Sequence, residues 1–341
     1  MTRNGVQNRA RKVAGVAGVW LLVGITLAGA ASAGELVSAV IKFVDQPIAN
    51  DVESRDQDEL WYVSTRDLEL SDLDPLSLPR LRVLRHSNGV WDESSIESLV
   101  GDSNPGKTTL FYFHGNRVPV ESAREGGSWI YQQVRDAVSW ETPLRFVIWS
   151  WPSDRICGQL RDFRVKALRT DIDALFLAGV LSRMPRQVPV SMLAYSFGAR
   201  IVTGGLHLRG GGELLGNRLR DEDIDALHPV RTVFYAGAVH QDWLYSGGKQ
   251  SRACSQMNKF LVLYNTRDPL LMHYRYLDKN SRAAALGFAG LEPGRLADQS
   301  VVFHQRDVRE QVGLSHSESR YFASTELVRQ LSQYLQWKKA H

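Results

Sequence analysis

The sequence predicts an α/β protein with a mostly parallel central sheet that helices cover on both faces. Short apolar runs alternate with amphipathic stretches, and most of these runs carry several Val, Leu, Ile or Phe in succession. Strands buried on both faces have this pattern, as in parallel sheets between layers of helices. The predicted strands are 60–65, 81–85, 109–113, 145–149, 188–195, 232–235, 260–264 and 300–304.

Helices are predicted between these strands. In 165–184, apolar residues recur at spacings of three and four from Leu168 onward, so this helix should bury one face. The last helix has the same spacing around Leu331, with Ser324 as a candidate N-cap. Strands that alternate with helices imply right-handed crossovers in a single α/β domain. The other predicted helices are 122–138 and 197–208.

The N-terminal residues have the features of an export signal. Four Arg and Lys residues precede an apolar run, 13–30, which leads into the small-residue pattern Ala-Ser-Ala. We therefore predict a signal peptide at 1–33, a linker at 34–58 and an α/β domain at 59–341 of a periplasmic or secreted protein. The apolar run approaches the length that spans a bilayer, so an uncleaved leader that anchors the protein in the membrane is the alternative.

The distribution of charge argues against nucleic acid as a partner. The leader holds four of the 41 basic residues and none of the 37 acidic ones, which leaves the rest of the chain balanced. A nucleic-acid-binding domain carries an excess of positive charge on its folded surface. The net charge of +4 belongs to the leader.

The cysteines and histidines do not form a metal-binding pattern. Cys157 and Cys254 are the two cysteines, and in an exported protein they are candidates for one disulfide, with two separate thiols as the alternative. The nine histidines include no H-E-x-x-H or comparable spacing. We expect neither a metal nor a cofactor.

Residues 194–198, Ala-Tyr-Ser-Phe-Gly, end an apolar strand on a serine. A strand before the serine and a helix after it are the context of a nucleophile elbow, G-x-S-x-G. The turn is so tight that the positions two before and two after the serine, here Ala194 and Gly198, have to be small. Ser196 would then adopt a strained backbone conformation that exposes its hydroxyl. An ordinary serine cap at a helix start is the alternative.

A serine hydroxyl becomes a good nucleophile only when a base accepts its proton and a carboxylate supports that base. In the chain order serine, acid, histidine, the candidates are Asp268, in a turn after a strand, and His316, in a loop before the last helix. Both would lie at the carboxyl ends of strands, where open α/β sheets place their sites. Asp242 is the rival acid. His304 is the rival base, although its position within a strand favours a packed histidine.

An oxyanion hole is expected directly after another strand, at His114, Gly115 and Asn116. Glycine imposes no Cβ, so a backbone N–H in this turn could approach the site. The predicted donors are the N–H groups of Asn116 and Phe197. His114 is expected to support the loop. Contact of the Asn116 or Arg117 side chain with substrate is a further, less favoured hypothesis.

Five segments together resemble the α/β-hydrolase superfamily: FYFHGNRV, FVIWSWPSD, MLAYSFGARIV, YNTRDPLL and SHS. They are most similar to a branch with an HGN turn, a WPS strand end and a YSFGAR elbow, over roughly residues 60–338. The resemblance implies a triad at Ser196, Asp268 and His316. Ala194 departs from the usual first glycine of the elbow.

The preferred function is therefore a serine hydrolase that attacks a small-molecule or lipid ester through an acyl-enzyme. A non-catalytic binding or envelope protein on the same fold is the alternative. Trp149 and Trp151 are expected to pack in the core, with pocket lining as the alternative. The loops 209–231 and 276–299 are candidates for a lid or acyl pocket, and the sequence predicts neither acyl-chain length nor oligomeric state.

One motif points to a different class of protein. Residues 101–108, GDSNPGKT, match the phosphate-binding loop pattern G-x-x-x-x-G-K-[ST]. Such a loop follows a strand and opens a helix whose N-terminus holds phosphate. Here Lys107 runs directly into a predicted strand. An NTPase therefore remains a remote alternative.

Overall fold

Nine strands form one sheet at the centre of the computed structural model, which describes residues 57–68, 81–220, 230–276 and 282–337. Within these residues the order of the strands across the sheet is β3-β2-β1-β5-β4-β6-β7-β8-β9. The strands are β1 Glu59–Ser64, β2 Arg82–Ser87, β3 Val90–Ser94, β4 Thr108–Phe113, β5 Leu144–Ser150, β6 Val190–Tyr195, β7 Val230–Tyr235, β8 Met257–Tyr264 and β9 Val302–Asp307.

The pairings from β1 through β5, β4, β6, β7 and β8 to β9 are parallel, whereas β2 pairs antiparallel with β1 and, at the edge of the sheet, with β3. The edge is a hairpin whose two turn residues, Asn88 and Gly89, have φ values of 50° and 79°. Positive φ at both turn positions matches the twist of the flanking strands.

The described helices are α1 Ile96–Val100, α2 Val120–Asp136, α3 Gln159–Arg183, α4 Gly198–Arg209, α5 Leu286–Ala289, α6 Arg309–Val312, α7 Glu318–Phe322 and α8 Thr325–Leu335. The short 3₁₀ segments are Gln241–Leu244, Ser251–Gln256, Leu271–Tyr276 and Pro293–Arg295.

Helices cover both faces of the sheet. Side chains of successive strand residues point to opposite faces. On β5, Ile148 meets Gly127 of α2, while the indole of Trp149 donates a hydrogen bond to Asp173 of α3. Helix α3 packs against α4 on one face, and α8 packs against α2 on the other. The predicted fold class is therefore confirmed.

The predicted elements agree with the structure, with two differences. Each of the eight predicted strands coincides with an observed one, and Ser324 caps α8 by accepting the Leu327 N–H. Strand β3 was not predicted. The expectation that α3 buries a single face is wrong, because every residue from Thr170 to Leu181 is buried between the sheet and α4, while Leu168 is 42% exposed.

Residues 101–108 do not form a phosphate-binding loop. Helix α1 precedes them and β4 begins at Thr108, which reverses the required order of strand, loop and helix. Lys107 Nζ donates to Glu59 Oε1 at 2.6 Å, and Arg145 Nε donates to the other oxygen at 3.0 Å. Burial alone would raise the pKa of Glu59, but these hydrogen bonds lower it to about 2. The structure contradicts the NTPase alternative, because the lysine belongs to an ion cluster.

The predicted signal peptide and all but the last two residues of the predicted linker lie outside the described residues. Parts of the two loops proposed as lid or acyl pocket, 221–229 and 277–281, also lie outside them. No helix in the described ranges is both long and apolar enough to cross a membrane.

Candidate active site

Ser196 occupies the turn between β6 and α4, with a φ of 50°. A non-glycine residue in the left-handed region is strained and persists only where its surroundings hold it. The Ser196 N–H donates to the Tyr235 carbonyl at 3.3 Å, which fixes the turn. A Cβ at Gly198 would overlap the carbonyl oxygen of Phe113, so this position has to be glycine. Ala194 is fully buried in the place of the other small residue.

The structure brings Ser196, His316 and Asp268 together. His316 Nε2 lies 2.9 Å from Ser196 Oγ, and His316 Nδ1 lies 2.7 Å from Asp268 Oδ2. A carboxylate accepts hydrogen bonds but donates none, so His316 Nδ1 carries the proton. Nε2 is then free of a proton and can accept a hydrogen bond from the serine hydroxyl. The side chain of Asp268 is completely buried and that of His316 is 19% exposed. A serine hydroxyl, an imidazole and a buried carboxylate therefore lie in one hydrogen-bonded chain.

Backbone groups fix the carboxylate behind the histidine. Asp268 Oδ1 accepts from the N–H groups of Leu270 and Leu271, each at 2.9 Å. The amide of Asn265, at the end of β8, donates to the carbonyls of Gly313 and Ser315 at 2.9 and 3.1 Å. Asn265 thereby connects the segment that carries Asp268 to the loop that carries His316.

The two rival residues do not join this arrangement. Asp242 lies in the 3₁₀ segment Gln241–Leu244, and the His316 ring contacts Asp268 instead. His304 lies on β9, as predicted, but it is exposed and Nδ1 is 3.0 Å from the Tyr334 hydroxyl. The expectation of a packed histidine is wrong because β9 forms one edge of the sheet.

The loop after β4 lies directly against Ser196. A Cβ at Gly115 would come within 2.8 Å of the Tyr195 ring and 3.3 Å of Ser196 Cβ. Glycine is thus the residue that allows this close approach. Within the described part of the chain, the N–H groups of Asn116 and Phe197 have no hydrogen-bond partner. Two donors without a partner beside a serine are what an oxyanion hole requires.

Trp151 connects the two sides of this candidate hole. Its indole N–H donates to the His114 carbonyl at 2.9 Å, and its ring is stacked between those of His114 and Phe197, with centroids 5.8 and 6.3 Å away. Burial and the nearby charge of Arg66 lower the pKa of His114 to about 3, so this imidazole stays neutral. His114 Nδ1 is 2.9 Å from the Gly115 carbonyl, a contact within the loop.

The three candidate triad residues follow one another along the chain and lie after parallel strands at one edge of the sheet. Ser196 follows β6, Asp268 follows β8, and His316 follows β9. A serine on a strand-to-helix elbow, with acid and histidine downstream in that order, distinguishes one architecture among doubly wound sheets. This chain has the α/β-hydrolase fold.

Comparisons with known proteins found solved structures of low sequence identity. No protein-family model and no curated protein matches the sequence. TT1662 from Thermus thermophilus is 14% identical with a TM-score of 0.35, over 68% of this chain and 90% of that one. Acyl-protein thioesterase 2 of Zea mays is 14% identical with a TM-score of 0.34, over 67% and 94%. An acetylxylan esterase is 12% identical with a TM-score of 0.35, over 66% and 95%.

In this α/β-hydrolase fold, the two side chains considered as substrate contacts bind the protein itself. Asn116 Nδ2 donates to Asp162 Oδ2 at 3.3 Å, and Arg117 Nε donates to the same oxygen at 2.8 Å. Asp162 is buried in the first turn of α3. These bonds hold the loop after β4 in place.

The cysteines remain unpaired, so the predicted disulfide is wrong. Cys157 is exposed in the loop before α3, whereas Cys254 is completely buried in the 3₁₀ segment Ser251–Gln256. A disulfide requires the two sulfurs to be in covalent contact. Burial raises the pKa of the Cys254 thiol to about 12. No group of three His, Cys, Asp or Glu side chains suited to a metal occurs among the described residues.

Proposed function

We propose that this protein is a serine hydrolase that cleaves carboxylic esters through an acyl-enzyme on Ser196. The observation that carries the proposal is the continuous hydrogen-bonded chain from Ser196 Oγ through the His316 ring to the buried Asp268. Nucleophile and base are already within the distance needed for proton transfer, without any rearrangement. The strained backbone of Ser196 adds support, because such strain concentrates at functional sites.

The arrangement supports an acyl-transfer mechanism. Ser196 Oγ attacks the ester carbonyl carbon while its proton moves to His316 Nε2, and Asp268 stabilises the imidazolium that forms. The tetrahedral intermediate collapses, the C–O bond to the alcohol breaks, and His316 returns the proton to the departing oxygen. Water then attacks the acyl-enzyme with the same proton movements, releasing the acid and free Ser196.

The negative charge of the tetrahedral intermediate would be held by the N–H groups of Asn116 and Phe197. Phe197 precedes the first residue of α4, so its N–H belongs to the positive end of the helix dipole. Trp151 fixes the separation of the two donors, because its ring stacks on Phe197 and its N–H binds the loop that carries Asn116. A single oxyanion donor is worth about 3 kcal/mol of transition-state stabilisation.

We further propose that the substrate is a small-molecule or lipid ester and that no cofactor takes part. The chemistry requires only the side chains and backbone groups already described. Export to the periplasm or beyond is proposed from the basic and apolar leader alone, with a retained membrane anchor as the alternative.

A fluorophosphonate probe and graded p-nitrophenyl esters test the proposal. Wild type should be labelled and should hydrolyse at least one ester, whereas Ser196→Ala should not be labelled. Loss of the nucleophile typically lowers kcat by about six orders of magnitude. Labelling of both proteins, or of neither, would contradict the proposal and favour a non-catalytic binding protein on the same fold.

A further inference from the structure

Two buried tyrosines, one half-buried tyrosine and a glutamate lie behind the proposed base, in a cluster that we term the tyrosine bracket: Tyr112, Tyr235, Tyr195 and Glu318. The tyrosines come from β4, β6 and β7, which are neighbours in the sheet. Glu318 is the first residue of α7, two positions after His316. None of these residues takes part in the proposed chemistry.

The hydroxyls of the bracket all point to the segment that carries the histidine. Tyr195 donates to the His316 carbonyl at 2.6 Å. Tyr112 and Tyr235 donate to Glu318 Oε1 at 2.9 and 2.5 Å. The rings of Tyr195 and Tyr235 are stacked, with centroids 5.3 Å apart and planes inclined by 22°. The tyrosine hydroxyls therefore bind residues 313–318, which we term the base segment, at two points. These are the His316 carbonyl and the Glu318 carboxylate, one on each side of Ser317.

Burial keeps the tyrosines in their donor form. Removal from water raises the pKa of Tyr112, Tyr195 and Tyr235 well above 10, and the nearby Glu318 carboxylate raises it further. A phenol that stays protonated remains a hydrogen-bond donor. The contacts of the bracket thus persist across the pH range in which a histidine base works.

The base segment is held mainly from the inside. Leu314, two residues before His316, is 80% exposed, so its side of the loop faces solvent. Gly313 has a φ of 70°, which places a turn at the start of the loop. Its inward hydrogen bonds include those to the bracket, to Asn265 and to Asp268.

We propose that the tyrosine bracket positions His316 against Ser196, with Tyr195 as the link between nucleophile and base. Tyr195 precedes Ser196 in the chain, and its ring centroid is 5.5 Å from that of His316. One side chain thus fixes both ends of the Ser196–His316 hydrogen bond. Displacements of about 1 Å in such an arrangement cost roughly a hundredfold in rate. This inference rests on the proposed hydrolase function.

The test compares two substitutions that each remove one hydrogen-bonded tyrosine hydroxyl. Tyr195→Phe keeps the ring but loses the bond to the His316 carbonyl. Tyr131→Phe is the matched control, because the Tyr131 hydroxyl donates at 2.8 Å to Asp58, next to the start of β1 and away from the site. Titration with the fluorophosphonate counts the reactive serines, so that kcat can be calculated per folded site. Partial unfolding of a variant is then not mistaken for a lower kcat.

For Tyr195→Phe we expect kcat to fall about tenfold with KM unchanged, since one neutral hydrogen bond is lost and the base segment loosens. The control should keep both constants. A second readout needs no activity: the low-field proton resonance of His316 Nδ1–H, identified by its loss in His316→Ala. Its exchange with water should quicken about tenfold in Tyr195→Phe and stay unchanged in the control.

The outcomes separate the two proposals. A wild type that is neither labelled nor active overturns the hydrolase function, while the Nδ1–H exchange still decides whether the bracket holds the histidine. An active wild type with Tyr195→Phe equal to Tyr131→Phe in kcat and in proton exchange overturns the role of the bracket alone.

Discussion

A methyl group added at Gly115 is expected to disable the candidate oxyanion hole. The new Cβ would lie 2.8 Å from two carbons of the Tyr195 ring and 3.3 Å from Ser196 Cβ. Carbon atoms prefer separations of about 3.5–4.0 Å, so the loop would have to retreat by roughly half an ångström or more. Asn116 follows Gly115 directly, so its N–H would leave the narrow range in which it binds an oxyanion. Losing one donor costs about 3 kcal/mol, or roughly a hundredfold in kcat.

The measurement is kcat and KM for Gly115→Ala on a soluble ester, together with the free energy of unfolding. We expect kcat to fall about a hundredfold, KM to change little, and overpacking to cost about 1–3 kcal/mol of stability. Gly294→Ala is the control, because a Cβ there meets no atom within 4 Å. If Gly115→Ala loses the expected stability but keeps the wild-type kcat, the loop after β4 does not supply an oxyanion donor.

Two further predictions concern groups outside the site. Burial raises the pKa of Asp173 from 3.8 to about 7. Between these two pH values the folded protein retains a proton that the unfolded chain releases. The free energy of unfolding therefore falls by about 4 kcal/mol in total as the pH rises through this range. Asp173→Asn keeps an accepting oxygen but cannot ionise. In urea denaturation it should therefore be more stable than wild type at pH 8 but not at pH 4. An equal pH dependence of the free energy of unfolding in the two proteins would refute this prediction. A thiol reagent should titrate Cys157 alone in the native protein and Cys254 only after denaturation, and a disulfide would instead leave both unreactive until reduction.

The central part of the fold could be predicted from the sequence because it is buried on both faces. Strands such as β4 and β5 are buried along their whole length, so apolar residues follow one another without alternation. Strand β3 lies at the edge and carries mostly exposed, polar residues, so it gives no such signal. The Asn-Gly pair before it is a strong local indication of a hairpin and could have revealed it.

Ser196 directly follows β6, Asp268 lies shortly after β8, and His316 is separated from β9 by α6, but the sequence could not reveal what holds the three residues together. Local patterns describe neighbours in the chain, whereas Tyr195 contacts a carbonyl 121 positions away and Tyr112 contacts a carboxylate 206 positions away. Both tyrosines look like ordinary strand residues. The same limit explains the cysteine prediction, since composition and cellular compartment say nothing about the distance between Cys157 and Cys254.

The late position of His316 in the chain has a consequence for biosynthesis. Strands β4, β6 and β7 form the centre of the sheet and complete the serine turn long before β9 and α7 have been synthesised. Under the proposed function, a nascent polypeptide would therefore hold the serine turn without its base until the segment that carries His316 has docked. Under the same proposal, loss of the segment that carries His316 would remove the base while leaving β1 to β8 in the chain.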